Sequence, residues 1–195
     1  MIGIIVLFVI SWLVIWLFAK GNLSVLGLLP GKGVSKLVTF VFFITSFCCA
    51  IGYWLKIYFS IEVYQWNPDA SPRLILNGLR SNFVSVLTEE LFCRGVGLYI
   101  LIKKLGTKWG ILVSFVVFGM MHWFNGGVWG NLPQMAILFS FTLVKGLLLA
   151  YSFARSGSIL VPFAIHFGWN LTQILFFPMT LLGDPCLLNY CHRLK

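Results

Sequence analysis

From Ile2 to Ala19 no side chain in this protein carries a charge. Comparable apolar stretches return near 37–55, 73–102, 109–123, 133–151 and 158–177. About 20 apolar residues wound as a helix are long enough to cross the hydrocarbon core of a bilayer. The sequence therefore predicts an all-α protein, a polytopic transmembrane helical bundle of about six membrane spans. One membrane-embedded domain, 1–195, is expected, because neither a fixed-period repeat nor a low-complexity linker divides the chain. Charged residues make up only 10% of the sequence, against roughly 25% in soluble domains.

The formal net charge of +9 fits the same picture. Lysines and arginines flank the predicted spans, and no basic cluster with interleaved aromatics forms a nucleic-acid surface. The loops at 20–36, 103–108 and 152–157 carry seven of the cations: Lys20, Lys32, Lys36, Lys103, Lys104, Lys108 and Arg155. The opposite loops, 56–73 and 124–132, hold Lys56 and Arg73, balanced by Glu62 and Asp69. The positive-inside rule then puts both termini away from the cytoplasm. The first span lacks a basic leader and a clear small-residue cleavage site, so it reads as a retained helix. The brevity of the chain suggests a bacterial cytoplasmic membrane.

Against this apolar background Thr88-Glu89-Glu90-Leu91-Phe92-Cys93-Arg94 stands out. The protein has five acidic residues, Glu62, Asp69, Glu89, Glu90 and Asp184, and two are adjacent here. A charge at the bilayer centre costs about 2.5–3.5 kcal/mol on insertion scales. Glu89 lies 16 residues after Arg73 and 14 before Lys103. On a continuous helix it is on the order of 20 Å from either basic boundary. Gly95 and Gly97 are expected to bend or break that helix. Glu90 and Arg94 stand at i and i+4 and can pair on one face. Glu89 has no cation at helical spacing, so it must meet another helix, take up a proton or face a hydrated cavity.

Two histidines supply such partners. His122 ends Phe118-Gly119-Met120-Met121-His122, and His166 opens His166-Phe167-Gly168-Trp169-Asn170. His166 and Asn170 share a helix face. Ionisable groups within spans usually face the bundle interior, so these three spans are expected to converge on one wet pocket. A carboxylate with an imidazole can take a proton from water and make it a nucleophile at neutral pH. A second histidine and an amide N–H can donate to the oxyanion of a tetrahedral intermediate. That set suits hydrolysis of an amide bond. Cys93 has no His or Asn at a defined spacing and reads as filler.

The ordered motifs Glu-Glu-x-x-x-Arg, Phe-x-x-x-His and His-x-x-x-Asn resemble the CPBP family, the CAAX-prenyl proteases and bacteriocin-processing enzymes also called ABI proteins. The resemblance covers 73–172 as a CPBP-like catalytic core. It implies an intramembrane endopeptidase acting on a membrane-associated, prenylated or leader-type peptide. It assigns Glu89 and His122 to water activation, His166 and Asn170 to the oxyanion, and Glu90 and Arg94 to ordering the site. No cofactor is favoured. Zinc stays open as an alternative, with Glu89, His122 and His166 as its ligands; the His-Glu-x-x-His signature is missing.

Blander readings stand beside this one. A lone membrane histidine or asparagine is more often a link between helices than a catalyst. A non-catalytic immunity or scaffolding protein that keeps the fold and binds a peptide is one competitor. A proton-coupled transporter is another, though no inverted repeat is evident. The eight tryptophans read as interfacial anchors and His192 as a solvated tail residue. Cys48, Cys49 and Cys93 lie in spans, and Cys186 and Cys191 in the tail are expected to pair only in an oxidising compartment.

Overall fold

A computed structural model describes residues 2–59, 62–67, 70–124, 127–176 and 188–192. The chain is built of helices in the order α1 (Ile2–Ala19), α2 (Lys32–Phe59), α3 (Pro72–Glu90), α4 (Leu98–Leu105), α5 (Thr107–Met121), α6 (Leu132–Ser156) and α7 (Leu160–Phe176). A π-helical segment, Leu91–Gly97, joins α3 to α4, and short 3-10 turns occupy Leu23–Leu26 and His122–Phe124. One small antiparallel ladder pairs β1 (Glu62–Trp66) with β2 (Leu188–His192), setting Glu62 opposite His192 and Trp66 opposite Leu188. Asp69, Asn125, Gly126, Asp184 and Cys186 lie outside the described residues, as do the side chains of Glu62, Cys191 and His192.

Among the described residues, three helices are long and apolar enough to cross a membrane: Lys32–Phe59, Thr107–Phe124 and Leu132–Ser156. Ile5–Phe18 and Leu160–Phe176 are shorter apolar helices. The protein is an integral membrane protein, and many of its large apolar side chains face outward. Phe40, Phe43 and Phe47 on α2, and Ile137, Phe141 and Val144 on α6, are exposed. In water such surface would drive association; against lipid it is the expected outer face. The predicted third span is realised as α3, the π segment and α4 in one helical path. Its composition is not that of a simple span, because α3 also carries an exposed Arg80 between Arg73 and Glu89. Counted from Arg80, Glu89 is roughly 14 Å along the helix rather than about 20 Å from the basic boundary.

The chain divides into two compact units. The first comprises Met1–Val38 and Leu87–Phe163. Its core gathers Ile15 of α1, Leu26 of the first turn, Leu91 and Leu98, Ala150 and Phe153 of α6, and Ile159. The segment expected to be a loop at 20–36 sends Leu26 into this core, with Leu23, Val25 and Leu28 packed against it, and from Lys32 onward it is already α2. Asn22 caps the 3-10 turn by accepting from Ser24 N–H at 2.9 Å. Ile159 N–H donates to Leu26 C=O at 2.8 Å, and Ser158 Oγ–H donates to Gly27 C=O at 2.6 Å. Helix α6 has conventional ends: Asn131 accepts from Gln134 N–H at 3.2 Å, Pro133 occupies the first turn, and Gly157 closes it at φ 64°.

The second unit comprises Thr39–Val86 and Ala164–Lys195. Here α7 presses its backbone against α2. A Cβ on Gly168 would lie 2.6 Å from Phe42 C=O and 2.9 Å from Ser46 Oγ, so no larger residue fits without displacement. Close approach at a small residue is how helices gain van der Waals contact where lipid removes the hydrophobic drive. Ser46 Oγ–H donates to Gly168 C=O at 3.1 Å, Gln173 Nε2–H donates to Tyr53 Oη at 3.2 Å, and the Phe42 and Phe167 rings stack at 6.0 Å.

Candidate functional site

The site begins where α3 turns into the π segment. Gly95 and Gly97 do not break the helix; the path widens into a π turn and continues, with Leu98 N–H bonding Cys93 C=O. Single π turns inside α-helices occur frequently at functional sites. Glu90 closes α3 and Arg94 lies within the π segment, and both are completely buried. Arg94 Nη1 donates to Glu90 Oε1 at 3.2 Å, the i, i+4 pair expected from spacing. The guanidinium carbon sits 3.9 Å from the centre of the buried Phe118 ring, a cation–π contact in surroundings that strengthen it.

Phe118 also carries His122. The two rings meet edge to face at 4.6 Å, and His122 Nδ1 lies 2.8 Å from Phe118 C=O. A carbonyl only accepts, so Nδ1 holds the proton and donates it there. Nε2 of a neutral His122 then keeps its lone pair for an acidic proton. His122 caps the end of α5 and begins the following 3-10 turn. The half-buried Glu89 acts electrostatically on this imidazole. Buried Cys93 points its thiol at Met121 Sδ, 3.5 Å away, which fits a packing role.

The first unit thus brings together Glu89, Glu90, Arg94 and His122. One member went unremarked at the level of sequence. Lys145, half-buried on α6, acts electrostatically on both Glu90 and His122. Its signal was plain enough: it is the one ionised residue between Pro133 and Tyr151.

His166 and Asn170 belong to the second unit, one turn apart on α7. His166 is buried, at 1% exposure, and Asn170 is half-buried. Among the described residues no group of three or more His, Cys, Asp and Glu side chains is gathered to hold a metal ion.

A charged, largely buried corner containing a carboxylate, an imidazole with a defined tautomer and an ordered ion pair is suited to moving protons away from bulk water. No curated protein and no solved structure shows a significant match to the chain. A family model does, over residues 71–172, just over half of the sequence and inclusive of every candidate site residue. The chain belongs to the type II CAAX prenyl endopeptidase Rce1-like family, a family of proteases.

Proposed function

We propose that the protein is an intramembrane endopeptidase. It hydrolyses a peptide bond in a membrane-associated, prenylated or leader-type peptide by means of water activated by Glu89 and His122. Its setting is a bacterial cytoplasmic membrane, crossed about six times, with both termini away from the cytoplasm. The observation that carries the reading is an imidazole within the field of Glu89 whose Nδ1 proton is committed to Phe118 C=O.

In this scheme a water molecule gives a proton to the Glu89–His122 pair as its oxygen attacks the scissile carbonyl carbon. The carbonyl oxygen gains negative charge and accepts hydrogen bonds from His166 and Asn170 of α7. The pair then returns the proton to the leaving nitrogen as the C–N bond breaks, giving a carboxylic acid and an amine. Glu90 and Arg94 touch no substrate; they fix the junction of α3 and the π segment, beside Glu89.

Substrate trapping tests the scheme. Glu89→Gln in native membranes is expected to keep normal abundance, to abolish cleavage, and to retain an uncleaved peptide identified by mass spectrometry after purification. A Glu89→Gln protein that supports the full cellular phenotype would instead favour a non-catalytic, peptide-binding role.

A further inference from the structure

Lys145 lies about midway along the 25 residues of α6, roughly 15–20 Å from either helix end. An isolated cation at such a position in a span is expensive, and those that persist face the interior and meet an opposite charge. Its flanks show which way it is turned. Thr142 one turn before, Leu149 one turn after and the adjacent Gly146 are all buried. Gly146 is a point of close approach to α5. A Cβ there would lie 2.9 Å from Phe118 Cδ1 and 3.3 Å from Phe115 Cα. Lys145 is thus one residue from the place where α6 bears on the ring that holds both Arg94 and His122.

The charges around that ring can be summed. Glu89 and Glu90 are the two anions, and Arg94 binds Glu90. Helix α1 contributes no charged residue. The other cations of α4, α5 and α6, namely Lys103, Lys104, Lys108 and Arg155, are exposed. Lys145 is the second half-buried or buried cation of this corner, and it acts on Glu90 and His122.

We infer that Lys145 completes a charge-neutral quartet with Glu89, Glu90 and Arg94, and is a positioning residue that holds the carboxylate pair in register with His122. It is the counter-charge for the second carboxylate, which the Glu90–Arg94 pair alone leaves in excess. It reaches the quartet from a different helix, so it also ties α6 to the π turn. The effect on turnover rests on the hydrolase reading above; the charge balance does not.

The experiment is a thermal-denaturation cycle on the full chain in lipid nanodiscs, using Glu90→Gln, Lys145→Met, their double variant and Lys145→Arg. Methionine keeps most of the aliphatic stem and removes the charge. Lys145→Met is expected to lower Tm by about 5 °C. Lys145→Arg is expected to stay within about 2 °C of the unaltered chain. The double variant, neutral again, is expected to melt above Lys145→Met despite its extra substitution. A Lys145→Met protein with unaltered Tm, or losses that simply add in the double variant, would overturn the quartet. With a cleavable peptide, Lys145→Met should lower kcat about ten- to hundredfold with KM within about threefold, and arginine should restore most of kcat. If the unaltered chain cleaves nothing, the hydrolase reading fails while the melting cycle still decides the role of Lys145. If Glu89→Gln abolishes cleavage and Lys145→Met does not slow it, the reading stands and the positioning role is rejected.

Discussion

The two units handle polar groups inside apolar helices in different ways. In the first, the polar residues are ionisable and interlocked: Glu90 on Arg94, Arg94 on the Phe118 ring, and His122 on the Phe118 carbonyl. In the second, His166 and Asn170 share a helix whose backbone is clamped at Gly168 by hydroxyl and carbonyl groups of α2. The difference is physical. A buried charge needs a partner on site, whereas a neutral donor needs only a rigid platform.

Altering the charged unit at its imidazole should have the largest effect. His122→Ala removes the group set against Glu89 and should lower kcat/KM for a membrane peptide by about 10²–10⁴-fold, with abundance preserved. A smaller loss there than from an α7 variant would reverse the assignment of roles between the units. Next comes the ion pair. Arg94→Met leaves Glu90 completely buried without its guanidinium and should cost about 3–5 kcal/mol of stability. It would be seen as low abundance in membranes and a depressed melting temperature. Normal abundance would show that the pair orders the site without supporting the fold. The smallest effect belongs to the platform. Ser46→Ala removes one hydroxyl bond to Gly168 C=O and should cost about 0.6 kcal/mol, a Tm change of a degree or two. A larger loss would mean that the hydroxyl, rather than the close backbone approach, holds α7 in place.

Much of this was legible in the residues. The apolar runs located the helices, and α1 coincides with the first run at Ile2–Ala19. The i, i+4 spacing gave the Glu90–Arg94 pair, and three motifs in order gave the family. What escaped reading depended on partners distant in sequence. Nothing in Leu23–Leu26 reveals that its carbonyl will bond Ile159 N–H, more than 100 residues away. The ladder joins Glu62–Trp66 to the far tail, a pairing that neither strand encodes alone. The two glycines suggested a break, and the path instead continues as a π turn in which Leu98 N–H bonds the carbonyl five residues back. Arg80 and Lys145 were different: both stood in plain view within apolar segments.

The central claim is that the charged corner and the neutral helix serve one reaction. It is tested most directly by kcat/KM for Glu89→Gln, Asn170→Ala and the double variant on a single peptide. Groups that act as a unit lose far less together than the product of their separate losses. The account predicts a double variant within a few-fold of the slower single one. Losses that multiply, or an Asn170→Ala protein that cleaves like the unaltered chain, would contradict it.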